Sequence, residues 1–237
     1  MNIILFHSHE IDVPLPIEDV RAQHIVSVLR RDIGDSVDVG LINGPKGKAV
    51  FMERDERGLR LEFVWGEAEP PLYPIDLVVG LSRPQTNRKI LQEATSLGVR
   101  TMRFVITDRG ESSYASSKLW TTGEWERHVL KGVEQAFSTR VPEVSFGMSL
   151  EDALETVSGV DKRVCLDNYE ATRPLLDVVR GVESVVLAVG SERGWTARER
   201  ECFRGCGYEL AHLGERPLRS ETATIAALAV TCAAFGF

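Results

Sequence analysis

The stretch LGERPLRSETA, residues 213–223, followed after Thr224 by IAALAVTCAAF, divides a short apolar segment, YELAHL, from a small-residue helix at the end of the chain. The junction is unusually polar for a connection. Arg219, Ser220, Glu221 and Thr222 stand side by side where loop gives way to helix. A guanidinium fork, two hydroxyls and a carboxylate beside free backbone N–H groups make a natural place to hold a polar ligand. The plainer reading stays open beside it: Ser220 is an N-cap, Glu221 and Thr222 complement the helix dipole, and Arg219 is a surface residue.

A second loop has the same character. In VVLAVGSERGWTARE, residues 185–199, an apolar strand runs directly into Gly190, Ser191, Glu192, Arg193 and Gly194. Thr196 and Glu199 then have the spacing of a capping box, and Gly205 and Gly207 stop the following helix before YELAHL. Glycines at both ends of the loop let backbone approach a ligand closely, at the carboxyl end of a strand where open α/β sheets bind ligands. The loop matches neither the dinucleotide fingerprint nor the phosphate P-loop.

Taken together, the two loops resemble the C-terminal half of the SPOUT class of RNA methyltransferases, in particular the RsmE-type enzymes that methylate N3 of a uridine in small-subunit (16S) ribosomal RNA. Leu213, Gly214, Arg216, Leu218, Arg219, Glu221, Thr222 and Ala223 match that family's second loop. The segments HIVSVLRRDIGD, LQEATSLGV and VEQAFSTRVPEV also fall into register, so the likeness spans nearly the whole chain. The chain departs from the pattern at Ser191 and Arg193, where the family has proline and glycine, at Ser138, where it has arginine, and at Glu93 and Ser96.

The resemblance implies an α/β fold in which residues 74–237 form a trefoil-knotted parallel sheet, preceded by a smaller PUA-like RNA-binding β-barrel over residues 1–70. It implies S-adenosylmethionine as cofactor, held by Leu166, Gly190, Ser191, Glu192, Gly194, Leu213, Gly214, Leu218 and Thr222, with Asp167 beside Leu166 in a third loop. Arg219 becomes the candidate for stabilising charge on the uracil, with Glu221 or Glu192 as proton acceptor. Arg30, Arg31 and Lys46 in the barrel, and Arg83, Arg109 and Arg140 beyond it, become candidate RNA contacts. The implied partners are ribosomal RNA or the small ribosomal subunit and a second copy of the chain, the homodimer using the terminal helix. A catalytically weakened member acting as an RNA-binding or ribosome-assembly factor is the alternative, suggested by Ser138 and GSERG. A different nucleotide-binding α/β enzyme would leave LGERPLRSETA unexplained.

Composition is compatible with this reading. At 237 residues and 43% hydrophobic content, the chain has material for one large and one small core. A net charge of −7 is unhelpful for an RNA enzyme, but residues 83–140 carry ten Lys and Arg against six Asp and Glu. That surplus reads either as a solvated helix face or as an RNA track. No apolar run reaches the length of a membrane span, and MNIILFHSHEID lacks the basic start of a signal peptide, so a cytoplasmic location is expected. Cys165, Cys202, Cys206 and Cys232 fall in expected strands and helices and read as free thiols. They complete no zinc spacing, with or without His7 and His9, and no metal is expected.

The stretch around residues 67–74, with three prolines, reads as a linker. Before it, NIILF, SVDVGLI, KAVFMER and LRLEFVW have strand character, joined by NGPKG and DERG turns. One helix over residues 19–30 is expected to turn Val20, His24, Val28 and Leu29 inward. After the linker, the strands DLVVGLS, MRFVIT, KRVCLD, SVVLAV and YELAHL alternate with helices, predicting a largely parallel sheet covered on both faces. The terminal helix is expected to bury Ile225, Leu228, Cys232 and Phe235.

Overall fold

The computed structural model describes residues 3–236, and the chain packs as two compact units. Residues up to Pro71 form the first together with Val133–Val141; Leu72–Gly132 and the chain from Pro142 onward form the second.

In the first unit, β1 (Ile4–Phe6), β2 (Ser36–Leu41), β3 (Pro45–Asp55) and β4 (Gly58–Ala68) lie side by side in that order. The β1–β2 pair is parallel and the other two are antiparallel. All four expected strands are present, with Asn2 of NIILF outside the described residues. Alternate residues, among them Val37, Val39, Ala49 and Phe51, point into one core with Ile4, Phe6 and Leu59, as period-2 strands with one covered face require.

The expected helix over residues 19–30 is a single α-turn, α1 (Val20–Gln23), running into a π-turn, His24–Val28. The inward residues are Ala22 and Ile25; Val20 and Val28 are 77% and 65% exposed, and Leu29 is also exposed. The inward assignment of Val20, Val28 and Leu29 is therefore wrong. The widened turn shifts the phase of the helix, so the 3.6-residue spacing from Val20 does not hold. The expected linker is also shorter than it looks. β4 continues to Ala68 and the next strand starts at Tyr73. Glu69 is anchored within its own unit, accepting from Thr139 N–H (2.5 Å) and Thr139 Oγ1 (2.8 Å).

The second unit is built on β5 (Tyr73–Gly80), β6 (Val99–Ile106), β7 (Glu143–Ser149), β8 (Lys162–Leu166), β9 (Arg173–Pro174), β10 (Val185–Val189) and β11 (Glu209–His212). These form one sheet in the order β7-β6-β5-β10-β8-β11-β9, and every pairing in it is parallel. β5 from Ile75 to Gly80 and all of β10 are buried, which explains their unbroken apolar runs: a parallel strand covered on both sides has no solvent face to mark.

The connecting helices are α2 (Pro84–Ser96), α3 (Lys118–Thr121), α4 (Glu124–Gln135), α5 (Leu150–Glu155), α6 (Leu175–Val179), α7 (Ala197–Gly205) and α8 (Ser220–Phe235). Ala153 and Leu154 of α5 and Phe203 of α7 share a core with Val78, Cys165, Val186 and Ala188 of the sheet, while α8 packs against α2, α6 and β10. Thr196 and Glu199 form the expected capping box, and Ser149 caps α5 through Asp152 N–H.

Two expectations about α8 fail. Its buried face is Ser220, Thr224, Ala227, Leu228 and Thr231, whereas Ile225, Cys232 and Phe235 are only half-buried. Of these hydroxyls, Thr224 Oγ1 donates to Ser220 O at 2.8 Å within the helix, whereas Thr231 Oγ1 is buried without a hydrogen-bond partner among the described residues. Nor is Ser220 the N-cap: Arg219 holds that position, without a side-chain cap bond.

Candidate active site

Four strand ends, those of β5, β8, β10 and β11, meet around one cavity of about 780 Å³. They are four adjacent strands of the sheet, so a single site collects the loop that follows each. Leu166 ends β8 and Asp167, Asn168 and Tyr169 follow it; Gly190 to Trp195 follow β10. Leu213 and Pro217 to Glu221 follow β11, and Arg83, Gln85, Thr86 and Lys89 come from the start of α2.

The β10 loop is held tightly. Gly194 adopts φ +62° and its N–H donates to Ser191 O at 2.9 Å, closing a turn that favours glycine. A Cβ on Gly190 would stand 3.1 Å from Gly194 Cα, and one on Gly80, at the end of β5, 2.5 Å from Ser191 N. Backbone thus packs on backbone. Glu192 ties the loop to α2, its Oε1 accepting from Arg83 N–H (3.1 Å) and from Thr86 Oγ1 (3.3 Å). Ser191 Oγ is buried with no partner among the described residues.

The β8 loop is fixed by a buried ion pair absent from the sequence reading. Asp167 Oδ2 accepts from Arg200 Nε at 2.8 Å, and the two side chains are only 2% and 8% exposed. Its other oxygen accepts from Tyr169 and Glu170 N–H, curling the chain after β8. Arg200 also lies over the Tyr169 ring, 5.3 Å from its centre. Trp195 Nε1 donates to Leu166 O at 3.2 Å, joining this loop to the β10 loop.

Across the cavity the β11 loop is open. Residues 214–219 are exposed. At the start of α8, Glu221 Oε1 stands 3.5 Å from Lys89 Nζ, and Arg219 lines the same cavity.

Of the residues singled out from sequence, Leu166, Gly190, Ser191, Glu192, Gly194, Leu213, Leu218, Arg219, Glu221 and Arg83 all line this cavity, as does Asp167. Gly214 and Thr222 do not. Gly214 matters for its backbone, φ +113°, and a Cβ there would meet nothing within 4 Å. The remaining basic candidates are placed elsewhere. Arg109 donates to Arg193 O at 3.3 Å. Arg30, at φ +52°, and Arg31 are exposed in the first unit. Lys46 donates to Phe137 O at 3.2 Å and pairs with Glu69 at 3.4 Å. Arg140 directs its guanidinium at the carbonyls of Glu69, Pro70 and Asn43, which makes it a clasp within the first unit. What sequence reasoning missed is the wall from α2. Its signal was present: a buried strand, DLVVGLS, ends two residues before Pro84 at the first turn of a helix.

A family profile described as RNA methyltransferase domain matches residues 68–232, the whole of the cavity-bearing sheet. The chain belongs to the RNA methyltransferase family. It is 34% identical to a ribosomal RNA small subunit methyltransferase E of Treponema pallidum, over 98% of this chain and 91% of that one. It is 26% identical to a ribosomal RNA small subunit methyltransferase E 1 of Borreliella burgdorferi, over 98% and 97%. The fold matches that of the Neisseria gonorrhoeae ribosomal RNA small subunit methyltransferase E, solved bound to S-adenosyl methionine, with a TM-score of 0.79 and 24% identity across 98% of this chain and 97% of that one. Among the described residues no helix is long and apolar enough to cross a membrane, and no group of three His, Cys, Asp or Glu side chains is placed to hold a metal.

Proposed function

We propose that this protein is an S-adenosylmethionine-dependent methyltransferase acting on N3 of a uridine in 16S ribosomal RNA. The observation that carries the reading is the convergence of Arg219 and Glu221 on the same cavity as the backbone-lined Gly190–Gly194 turn, in a chain whose relatives are named for methylation of small-subunit ribosomal RNA. The cavity fits the cofactor. Ser191 presents a buried hydroxyl with no partner among the described residues, and Gly194, where a Cβ would meet only Tyr169 Cε2 at 4.0 Å, leaves room for a ligand against main chain, while Gly190 lets that turn close on itself.

When bound, S-adenosylmethionine supplies an electrophilic methyl group on a sulfonium. The chain's part is to hold the acceptor in line with that methyl and to manage one proton, and positioning alone is worth about 7–11 kcal/mol in favourable cases. Arg219, exposed at the start of α8, meets the uracil carbonyl oxygens as N3 loses its proton and charge moves onto them. Glu221, two residues along and facing the same cavity, takes that proton. Glu192 is already occupied in joining the β10 loop to α2, so its role is to position the wall.

The wider reading includes a trefoil knot in the second unit, a PUA-like barrel in the first, and RNA contact through Arg30, Arg31, Arg83 and Arg109. Its homodimer uses α8, whose Ala229 and Ala233 are exposed and whose Ile225 and Cys232 are half-buried. Ala229→Glu would then place a charge in the interface, turning a dimer into a monomer by light scattering.

The deciding experiment is methyl transfer to small subunits from cells lacking the protein, followed by mass mapping of the RNA. N3-methyluridine at one position supports the reading. Cofactor binding without any transfer supports the RNA-binding or assembly-factor alternative.

A further inference from the structure

A second cavity, of about 490 Å³, adjoins the first through Arg83 and Gln85, which line both. Its far wall is the segment between β6 and α4, contributing Tyr114, Ser117, Lys118 and Leu119. Three features set it apart from ordinary surface. The side chains of Arg83 and Lys118 have no ion-pair partner among the described residues, whereas Arg88 in the same cavity is satisfied by both oxygens of Glu124 at 2.8 and 3.2 Å. Ser117 Oγ is buried without a hydrogen-bond partner among the described residues. Tyr114 is a half-buried aromatic without a ring neighbour among the described residues.

Two unpaired cations, a buried hydroxyl needing a partner and a lone aromatic ring are the components of a single-nucleotide subsite: charge for a phosphate, a donor or acceptor for sugar or base, and a face for stacking. We propose that this cavity holds the nucleotide next to the target uridine, Arg83 and Lys118 meeting its backbone phosphates and Tyr114 stacking on its base. The proposal rests on the RNA-methylation reading for its substrate. Its direction follows from the shared wall: a strand whose target base lies in the first cavity passes Arg83 to reach the second. Such a subsite also explains how an acidic protein holds RNA locally, since one stacked base and one phosphate pair need no large basic surface.

The test is anisotropy with a fluorescein-labelled six-nucleotide oligouridine at low salt and saturating S-adenosylhomocysteine. Lys118→Ala and Tyr114→Leu should each weaken binding about fivefold or more, the lower end of one lost stack or contact. Tyr114→Phe should retain it, and Lys131→Ala, exposed on α4, should change it less than about twofold. With small subunits as substrate, the first two variants should raise KM and leave kcat at saturating RNA unchanged. Equal losses from Lys118→Ala and Lys131→Ala would mean diffuse attraction and overturn the subsite, as would unchanged affinity in both Lys118→Ala and Tyr114→Leu. Should Tyr114→Leu lose its fold by circular dichroism, Lys118→Ala against Lys131→Ala decides alone. Normal N3 methylation with unaltered RNA affinity in these variants sinks the subsite only. Site-dependent RNA affinity with no N3 product sinks the uridine reading only.

Discussion

The two loops that face each other across the cavity are built on opposite plans. Residues 190–194 are packed backbone to backbone against Gly80, closed by a turn and tied to α2 through Glu192. Residues 214–219 are exposed, and a Cβ on Gly214 would meet open space. One wall is set before any ligand arrives; the other has room to settle onto it. The chemically active candidates, Arg219 and Glu221, sit on the open side, where a side chain can follow the substrate, and the cofactor-fitting backbone sits on the closed side. Damage to the closed wall should therefore cost folding and binding together. Damage to the open wall should cost function alone.

The largest effect is expected at Gly80. Gly80→Val brings a side chain within 2.5 Å of Ser191 N, a backbone atom that cannot swing aside, at the buried end of β5. A loss of more than about 3 kcal/mol in urea unfolding is expected, with cofactor heat abolished in calorimetry. Near-normal stability would show that the closed wall is more yielding than its packing implies.

Next comes the ion pair beneath the β8 loop. Asp167→Ala leaves Arg200 buried without its 2.8 Å partner and removes the acceptor for two backbone N–H groups. Loss of one member of a buried pair costs about 3–5 kcal/mol. The lower end is expected, because Glu170 remains 3.3 Å from Arg200 Nη1. Denaturant unfolding measures it, and a change under 1 kcal/mol would place Asp167 outside the fixed wall.

How far these two walls could be read from sequence differs in the same way. The parallel strands were legible because burial on both faces writes an unbroken apolar run, as in β5 and β10. The β10 loop was legible because it stands directly after such a run, and the β11 loop because its own residues, Leu213 to Ala223, carry the pattern. β7, an edge strand with Gly147 inside it and a register shift opposite Phe104 and Val105, carried too weak an alternation to stand out. Asp167 pairing with Arg200 joins residues 33 positions apart, which no local pattern announces. The inward face of α8 was misread because Ser220, Thr224 and Thr231 look polar in sequence yet lie on the buried side of the helix, Thr224 Oγ1 bonding to Ser220 O and Thr231 Oγ1 left without a hydrogen-bond partner among the described residues.

On the open wall, Arg219→Ala should leave unfolding and cofactor affinity close to those of the unaltered protein, since Arg219 is exposed and makes no side-chain cap bond. Methyl transfer at saturating RNA and cofactor should fall about 100-fold, as for one lost donor to a developing anion. A variant that turns over normally but binds cofactor poorly would move Arg219 from the chemistry to the pocket lining.

The smallest effect is expected at Gly214, and it separates the two glycine-bearing loops most directly. The family resemblance places Gly214 against the cofactor, yet Gly214 does not line the cavity and nothing stands within 4 Å of its Cβ position. What remains is the backbone: φ +113° is comfortable only for glycine, so Gly214→Ala should cost about 1–2 kcal/mol of strain or be relieved by a small shift of an exposed loop. Cofactor heat should survive, weakened a few-fold at most, because the neighbouring Leu213 and Leu218 still face the cavity. Complete loss of binding in a folded Gly214→Ala protein would mean that this loop closes far more tightly on the ligand than its open form suggests, and the contrast between a fixed and a yielding wall would fail.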